Sequence, residues 1–173
     1  DDNSVLKALS TFVFFPRLST DEIMELYEKS EYKNIHPRIM ATAEDFERIR
    51  EMRKTDARVA KWVNNVIETA DKSLATVPNE RWFDAGNKQT LTYVHIVLER
   101  LTSLSFAWKV TGDKKYAERA WIEMKSVSEL PDWNPQHFLD VGEMTYAMSI
   151  AYDWCYDYLN DEQRKIAADA ILY

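Results

Sequence analysis

The chain has 173 residues, of which 46% are hydrophobic, and its 29 acidic and 22 basic side chains give a formal net charge of −7. This charge argues against nucleic acid or an anionic membrane surface as a partner, and no run of about eighteen apolar residues is present that could span a bilayer. With only three Gly and five Pro to make turns, the composition favours an all-α fold with a substantial core over a turn-rich sheet.

Residues 1–34 are predicted to form a lead-in segment that contains one short helix. Ser19 and Glu22 have the spacing of a capping box, in which each side chain binds the backbone N–H of the other residue. The helix that follows is expected to bury one apolar face. That face consists of Ile23, Leu26 and Tyr27.

An extended connector is predicted over residues 32–40, because His36 lies before a proline and such residues avoid the helical region. Thr42 and Asp45 then repeat the capping-box spacing and predict the start of a further helix. This helix belongs to a predicted helical domain that covers residues 35–173.

The later helices follow from apolar residues that recur every three or four positions. They are predicted over residues 57–75, from 90 to a turn at 111–113, from 116 to just before 131, over 137–159, and from 161 onward. Trp62 belongs to the apolar pattern of the first of these helices, and Asn160 with Gln163 forms a capping box before the last. Turns this short favour antiparallel helical hairpins. Because no helix-ending residue precedes Tyr173, we expect the chain to be the N-terminal part of a longer protein.

The loop before the 137–159 helix holds Trp133 between Pro131 and Pro135. A stiff loop with an aromatic ring suits the wall of a sugar-binding site, because a flat ring can cover the apolar face of a pyranose. Burial of Trp133 as an ordinary core anchor is the competing interpretation.

His137, Asp140 and Glu143 follow at intervals of three residues, which places neighbouring side chains on one side of a helix start. Helix capping and local hydrogen bonding explain Asp140 adequately. Glu143 lies among residues that look buried, so its carboxylate needs a partner or a cleft. A glycoside hydrolase that uses Asp140 and Glu143 is an alternative, although one helical turn brings the two carboxylates together instead of onto opposite sides of a scissile bond.

No cofactor and no metal site is predicted. His137 has no second histidine nearby in the sequence, and a Gly-rich phosphate loop is missing. His95 is interpreted as a satisfied residue of a helix face, and Arg100 as one partner of a structural ion pair. The single cysteine, Cys155, is expected to be a small buried hydrophobic residue and excludes a disulfide framework.

Three stretches together resemble the N-terminal helical region of heparinase II/III-type polysaccharide lyases, a group that includes related alginate and oligo-alginate lyases. The stretches read IHPRIMATAEDFERIREM, LERLTSLSFAWKVTGDKKYAERAW and DWNPQHFLDVGEMTYAMSIAYDWCYDYLNDEQRKIAADAI. They are similar in order and spacing to the family's HPR, TGD-x-x-YA and FLD…YDW patterns, and they cover roughly residues 35 to 173.

The resemblance implies part of an incomplete (α/α) toroid in a bacterial, secreted or periplasmic enzyme. It further implies that the partner is an acidic polysaccharide or oligosaccharide, such as a glycosaminoglycan or alginate, cleaved by β-elimination. An Asn-His pair and a later Tyr carry this chemistry in the family, and this sequence contains no Asn-His dipeptide. No catalytic residue is therefore assigned, and the chain alone is expected to be inactive.

The resemblance places the segment from Trp133 to Glu143 beside the sugar cleft. The predicted substrate-binding residues are Trp133, Asn134, Gln136, His137 and Glu143. A non-catalytic helical module that binds carbohydrate or protein is the main alternative function. In either case, helix faces left unpaired by an incomplete toroid are expected to favour self-association.

Overall fold

The computed structural model describes residues 18–78 and 90–172. Within these ranges the regular structure is entirely α-helical, which confirms the predicted all-α class. The helices are α1 (Thr20–Glu28), α2 (Ala43–Thr55), α3 (Ala57–Leu74), α4 (Thr90–Thr111), α5 (Lys114–Ser128), α6 (Phe138–Trp154) and α7 (Asp161–Leu172). The chain divides into two units, Asp1–Ile35 and His36–Tyr173.

The described part of the first unit contains α1. Its predicted capping box is confirmed, since Ser19 N donates to Glu22 Oε2 at 2.7 Å and Glu22 N donates to Ser19 Oγ at 3.2 Å. The predicted burial of Ile23 and Leu26 is wrong, because both side chains are more than half exposed, and Tyr27 is only half-buried. An apolar pattern shows which face of a helix could be buried but does not by itself bury it, and α1 buries no residue.

Hydrogen bonds from side chains fix the starts of several helices in the second unit. The predicted capping box of Thr42 with Asp45 is confirmed at the start of α2. That of Asn160 with Gln163 is confirmed before α7, where both reciprocal bonds are 2.9 Å long. Asp56, which no sequence pattern singled out, caps α3 by accepting bonds from two backbone N–H groups.

Helix α4 lies at the centre of the core and contacts α2, α3, α5 and α6. Helix α6 packs against α4 and α7, and α7 also contacts α5. The fully buried apolar residues that α4 contributes to the main core are Tyr93, Val94, Val97, Leu101, Leu104 and Ala107. A smaller apolar cluster of Phe46, Val63 and Val110 joins α2 and α3 to the end of α4.

Two predictions made from the helical pattern of the sequence are wrong. Trp62 is 65% exposed on α3, although it falls within the apolar periodicity of that helix. The helix predicted over residues 137–159 ends at Trp154. Arg164 from α7 donates two hydrogen bonds to the Tyr156 carbonyl, at 3.1 and 2.8 Å, and so satisfies a backbone acceptor that would otherwise need helical continuation.

Candidate functional site

Trp133 is anchored in the core, as one of the two interpretations expected, and it also lines a cleft. Its indole Nε1 donates to the Val127 carbonyl at 3.3 Å, and the half-buried ring packs against the main core. The same side chain lines a cleft with a volume of about 520 Å³. The indole is therefore anchored by the protein and also contributes part of a concave surface.

The cleft lies where the loop before α6 meets α6 and α7. Its walls are largely apolar, and they include Leu130, Pro131, Trp133, Val141, Ile166 and Ile171. Asp132 and Asp169 also line it. Lys165 forms an exposed ion pair with Asp169 at 2.6 Å, but no Lys, Arg or His is among the described residues that line the cleft.

The Asp140 carboxylate is buried at the start of α6 and joins this helix to the preceding loop. His137 Nδ1 lies 2.9 Å from Asp140 Oδ1, and Asn134 Nδ2 donates to Oδ2 at 2.7 Å. Asn134 has a φ of 60°, a left-handed conformation that Asn adopts more readily than most residues. These contacts hold the loop in place, so the expected local hydrogen bonding of Asp140 is confirmed. The expected capping is wrong, because no side-chain cap hydrogen bond forms at the start of α6.

The partly buried Glu143 carboxylate contacts His95, although its Oε2 forms no hydrogen bond in the described part of the chain. His95 Nε2 lies 2.9 Å from Glu143 Oε2 and 3.2 Å from Oε1. Because a carboxylate can only accept hydrogen bonds, the imidazole must carry a proton on Nε2. This contact links α4 to α6 and agrees with the interpretation of His95 as a satisfied residue of a helix face.

The five predicted substrate-binding residues do not gather around one cavity. Trp133 lines the cleft, whereas Asn134 and His137 bind Asp140, and Gln136 is exposed. Glu143 follows the cleft residue Val141 by two positions, which rotates it by about 200° around the helix axis. Of these five residues, Trp133 lines the cleft.

A polar junction centred on Asp153 was missed from the sequence. Asp153 Oδ1 lies 2.6 Å from His36 Nδ1, while Oδ2 accepts from the backbone N–H groups of Arg38 and Ile39 at 2.7 and 2.8 Å. Trp154 Nε1 donates to the Ile39 carbonyl at 2.9 Å. The predicted connector therefore is not simply extended: it has a cis His36–Pro37 bond, and its backbone is bound by the last turn of α6.

His36 is enclosed by charged and aromatic groups. Its ring stacks on Tyr156 with a centroid separation of 3.7 Å and an interplanar angle of 8°. Arg38 Nη1 lies 3.3 Å from His36 Nε2, which must act as the acceptor because a guanidinium only donates. Burial lowers the pKa of His36, although the bond to Asp153 opposes this shift. The imidazole is therefore held neutral, with its proton on Nδ1.

A second buried charge cluster joins α5 to α4. Arg119 Nη2 lies 2.7 Å from Glu123 Oε2, and Arg100 Nη1 lies 3.4 Å from Glu123 Oε1. The two guanidinium groups also donate to the backbone carbonyls of Thr76 and Val77, at 3.1 Å each. Arg100 thus belongs to a structural ion pair, as the sequence indicated.

Few other side chains in the described ranges could act as nucleophiles or metal ligands. Cys155 is fully buried, and burial raises the pKa of its thiol to about 12, which makes it a poor nucleophile. In residues 18–78 and 90–172, no three His, Cys, Asp or Glu side chains are arranged to hold a metal ion. Nor is any helix there long and apolar enough to cross a membrane.

In comparisons with known proteins, neither a protein-family model nor a curated protein matches this chain.

Proposed function

We propose that this chain is the helical scaffold of a polysaccharide lyase that cleaves uronic-acid-containing polysaccharides by β-elimination, and that its Trp133 cleft forms a wall of the sugar-binding site. The observation that carries the proposal is the contact between two stretches of the lyase resemblance. Asp153, from the third stretch, binds His36 and Ile39 from the first. These two stretches pack together, as is expected if both belong to the helical domain that the resemblance implies.

The proposal includes a finer architecture. Helices α2 to α7 would form consecutive antiparallel hairpins of an incomplete (α/α) toroid. Two features support this arrangement: Gly112 and Asp113 alone connect α4 to α5, and helices adjacent in sequence pack against each other from α2 to α5.

The proposed chemistry requires groups beyond those assigned here. In β-elimination a base removes the C5 proton of the uronate, a neighbouring group neutralises its carboxylate, and an acid assists departure of the O4 sugar. The Asn-His pair that the resemblance calls for does not occur in this sequence. We therefore assign this chain a scaffold and wall function, with an acidic polysaccharide as partner and a secreted or periplasmic location.

The decisive experiment uses the full-length protein that carries this chain. It is incubated with glycosaminoglycans and with alginate, and the ultraviolet absorbance of the products is followed. We expect an absorbing product, because β-elimination leaves a carbon–carbon double bond conjugated to the uronate carboxylate. Cleavage that yields only saturated ends contradicts the proposal and favours a glycoside hydrolase.

A non-catalytic carbohydrate-binding module is the second candidate. Two observations favour it: the Trp133 cleft, and the fact that the nearby carboxylates already have partners within the protein. Asn134 and His137 bind Asp140, and His95 binds Glu143. The same contacts weigh against Asp140 and Glu143 as the acid and base of a glycoside hydrolase. Sugar binding by the full-length protein without any cleavage product would identify this second function.

A further inference from the structure

We propose that a groove between α3 and α4 binds an alkylammonium group, which is the chemistry of a small organic amine or of a lysine side chain. The groove has a volume of about 410 Å³, within the range of roughly 300–1,000 Å³ that is usual for small-molecule sites. The last residue of α6, Trp154, also lines it. None of the described residues that line the groove lines the Trp133 cleft, and the inference does not depend on the proposed lyase function.

Polar side chains line the groove from both helices. On α4, Thr102 and Ser103 follow Glu99 by three and four positions, which places the three side chains on one face. Thr69 of α3 lines the groove with them. Ser103 is only 5% exposed, and Thr69 and Thr102 are half-buried. These four residues form the polar part of the groove.

The three hydroxyl groups of the polar part already use their protons within the protein. Thr69 Oγ1 and Thr102 Oγ1 each donate to the backbone carbonyl four positions earlier, at 3.1 and 2.6 Å. Ser103 Oγ donates to the carbonyl three positions earlier, at 3.1 Å. Each oxygen therefore has only its lone pairs left for a ligand, and a ligand that binds all three must donate hydrogen bonds.

Glu99 adds a carboxylate to these acceptors. The neighbouring Arg100 does not pair with it, because the Arg100 guanidinium binds Glu123 and the Val77 carbonyl, at 3.4 and 3.1 Å. In the described part of the chain, no ion pair involves Glu99 and no Lys, Arg or His lines the groove. An ammonium group carries a positive charge and three N–H donors but no acceptor, so it complements both the charge and the hydrogen bonding of the polar part.

Aromatic side chains supply a place for the alkyl part of the ligand. Phe106 and Trp154 line the groove, and their ring centroids are 6.4 Å apart. Because Trp154 Nε1 already donates to the Ile39 carbonyl, the indole offers a ligand its apolar surface. Phe106 follows Glu99 by seven positions, which is about 10 Å along the axis of α4. An apolar stem on these rings and a charged head at Glu99 match the two parts of an alkylammonium group.

The first test measures binding of two probes to the full-length protein that carries this chain, by ligand-observed NMR at low ionic strength. The probes are n-butylammonium and n-butanol, which has the same stem without the charge. We expect n-butylammonium to bind with a Kd on the order of 1 mM, and at least about fivefold more tightly than n-butanol. Equal affinity for the two probes, or no saturable binding of n-butylammonium, overturns the site.

Two variants identify the residues responsible. Glu99→Gln removes the charge of an exposed side chain at constant size, and it should weaken n-butylammonium about fivefold or more while leaving n-butanol unchanged. Thr102→Val removes one acceptor at nearly constant shape and should weaken n-butylammonium about threefold. Glu162→Gln, which removes an exposed carboxylate of α7, is the matched control and should change neither probe. An unchanged affinity in Glu99→Gln, or an equal loss in Glu162→Gln, overturns the site.

A third probe, Nα-acetyl-lysine methylamide, separates the two sources of the ammonium group. Tighter binding than n-butylammonium, lost in Glu99→Gln, supports the site and identifies its ligand as a lysine side chain of a partner protein. Weaker binding supports the site with a free amine as ligand, because the added backbone then does not fit. Failure of all three probes rejects the site and leaves the lyase proposal standing, since that proposal depends on an absorbing product.

Discussion

The Asp153 carboxylate lies 2.6 Å from His36 Nδ1, although the two residues are separated by 117 positions in the sequence. The same carboxylate accepts two backbone N–H groups of the connector, and it is 1% exposed. One buried side chain thus fixes the segment before α2 against the end of α6.

Replacing Asp153 should destabilise the fold severely. Asp153→Ala would leave His36 and two backbone N–H groups buried without their acceptor, which should lower the free energy of unfolding by about 3–5 kcal/mol. Asp153→Asn keeps one acceptor oxygen and should cost less. Urea unfolding measures both variants. Glu51→Ala, which removes an exposed ion pair with Lys54, is the control and should have no measurable effect; a similarly small effect of Asp153→Ala would contradict the assigned role.

Stability should fall as His36 becomes protonated. Burial holds the pKa of His36 below its ordinary value of 6.5, and the positive charges of Arg38 and Arg164 add to this shift, while Asp153 opposes it. Because the folded state binds the proton less readily than the unfolded state, stability is full above the unfolded pKa and decreases as the pH drops below about 6.5. Protonation of Nε2 would also break its bond from Arg38.

This pH dependence can be isolated with His36→Gln. Urea unfolding of the wild type and the variant is compared between about pH 7.5 and about pH 5, a range that spans the ordinary His pKa. The variant is expected to be less stable at every pH but to lose less stability across the range. Identical pH slopes in the two proteins would show that His36 is not the responsible group.

The buried Arg119–Glu123 pair should be costly to break. Glu123→Ala leaves two guanidinium groups buried near each other and should lower the free energy of unfolding by about 3–5 kcal/mol. Glu129→Ala removes the exposed partner of Lys125 on the same stretch and should have no measurable effect. Thermal or urea unfolding compares the two variants. Equal effects would show that breaking the buried ion pair costs no more stability than breaking an exposed one.

The Cys155 thiol should react only after unfolding. It is fully buried and its pKa is raised to about 12, so both access and thiolate formation are suppressed in the native protein. The rate of labelling by a disulfide reagent at neutral pH should rise by at least about a thousandfold in denaturant. Rapid labelling of the native protein would contradict the burial of this residue.

The features predictable from the sequence are those that depend on neighbours in the chain. The capping boxes at Ser19, Thr42 and Asn160 each join residues three positions apart, so composition and spacing suffice to find them. The need of Glu143 for a partner could likewise be predicted from the apolar residues around it. Its partner, His95, could not, because that contact depends on how α4 packs against α6.

The features that the sequence did not reveal depend on packing between distant segments. The Asp153 junction joins a loop to a helix end 117 positions away, and no local pattern indicates such a contact. The apolar periodicity also predicted that α6 continues past Trp154. It could not show the end of the helix, because that end involves hydrogen bonds from Arg164 of α7 to the Tyr156 carbonyl. For the candidate site, the aromatic wall at Trp133 was predictable, whereas the two aspartates that line the cleft with it were not.

The measurement that tests the central claim most directly follows cleavage of glycosaminoglycans and of alginate by the full-length protein. The ultraviolet absorbance of the products is recorded for the wild type and for Trp133→Ala. The account predicts an absorbing, unsaturated product from the wild type, and a raised KM with a nearly unchanged kcat in the variant, because Trp133 binds sugar without taking part in the chemistry. Saturated products would contradict the lyase assignment, and an unchanged KM in the variant would contradict the assignment of Trp133 to the sugar-binding wall.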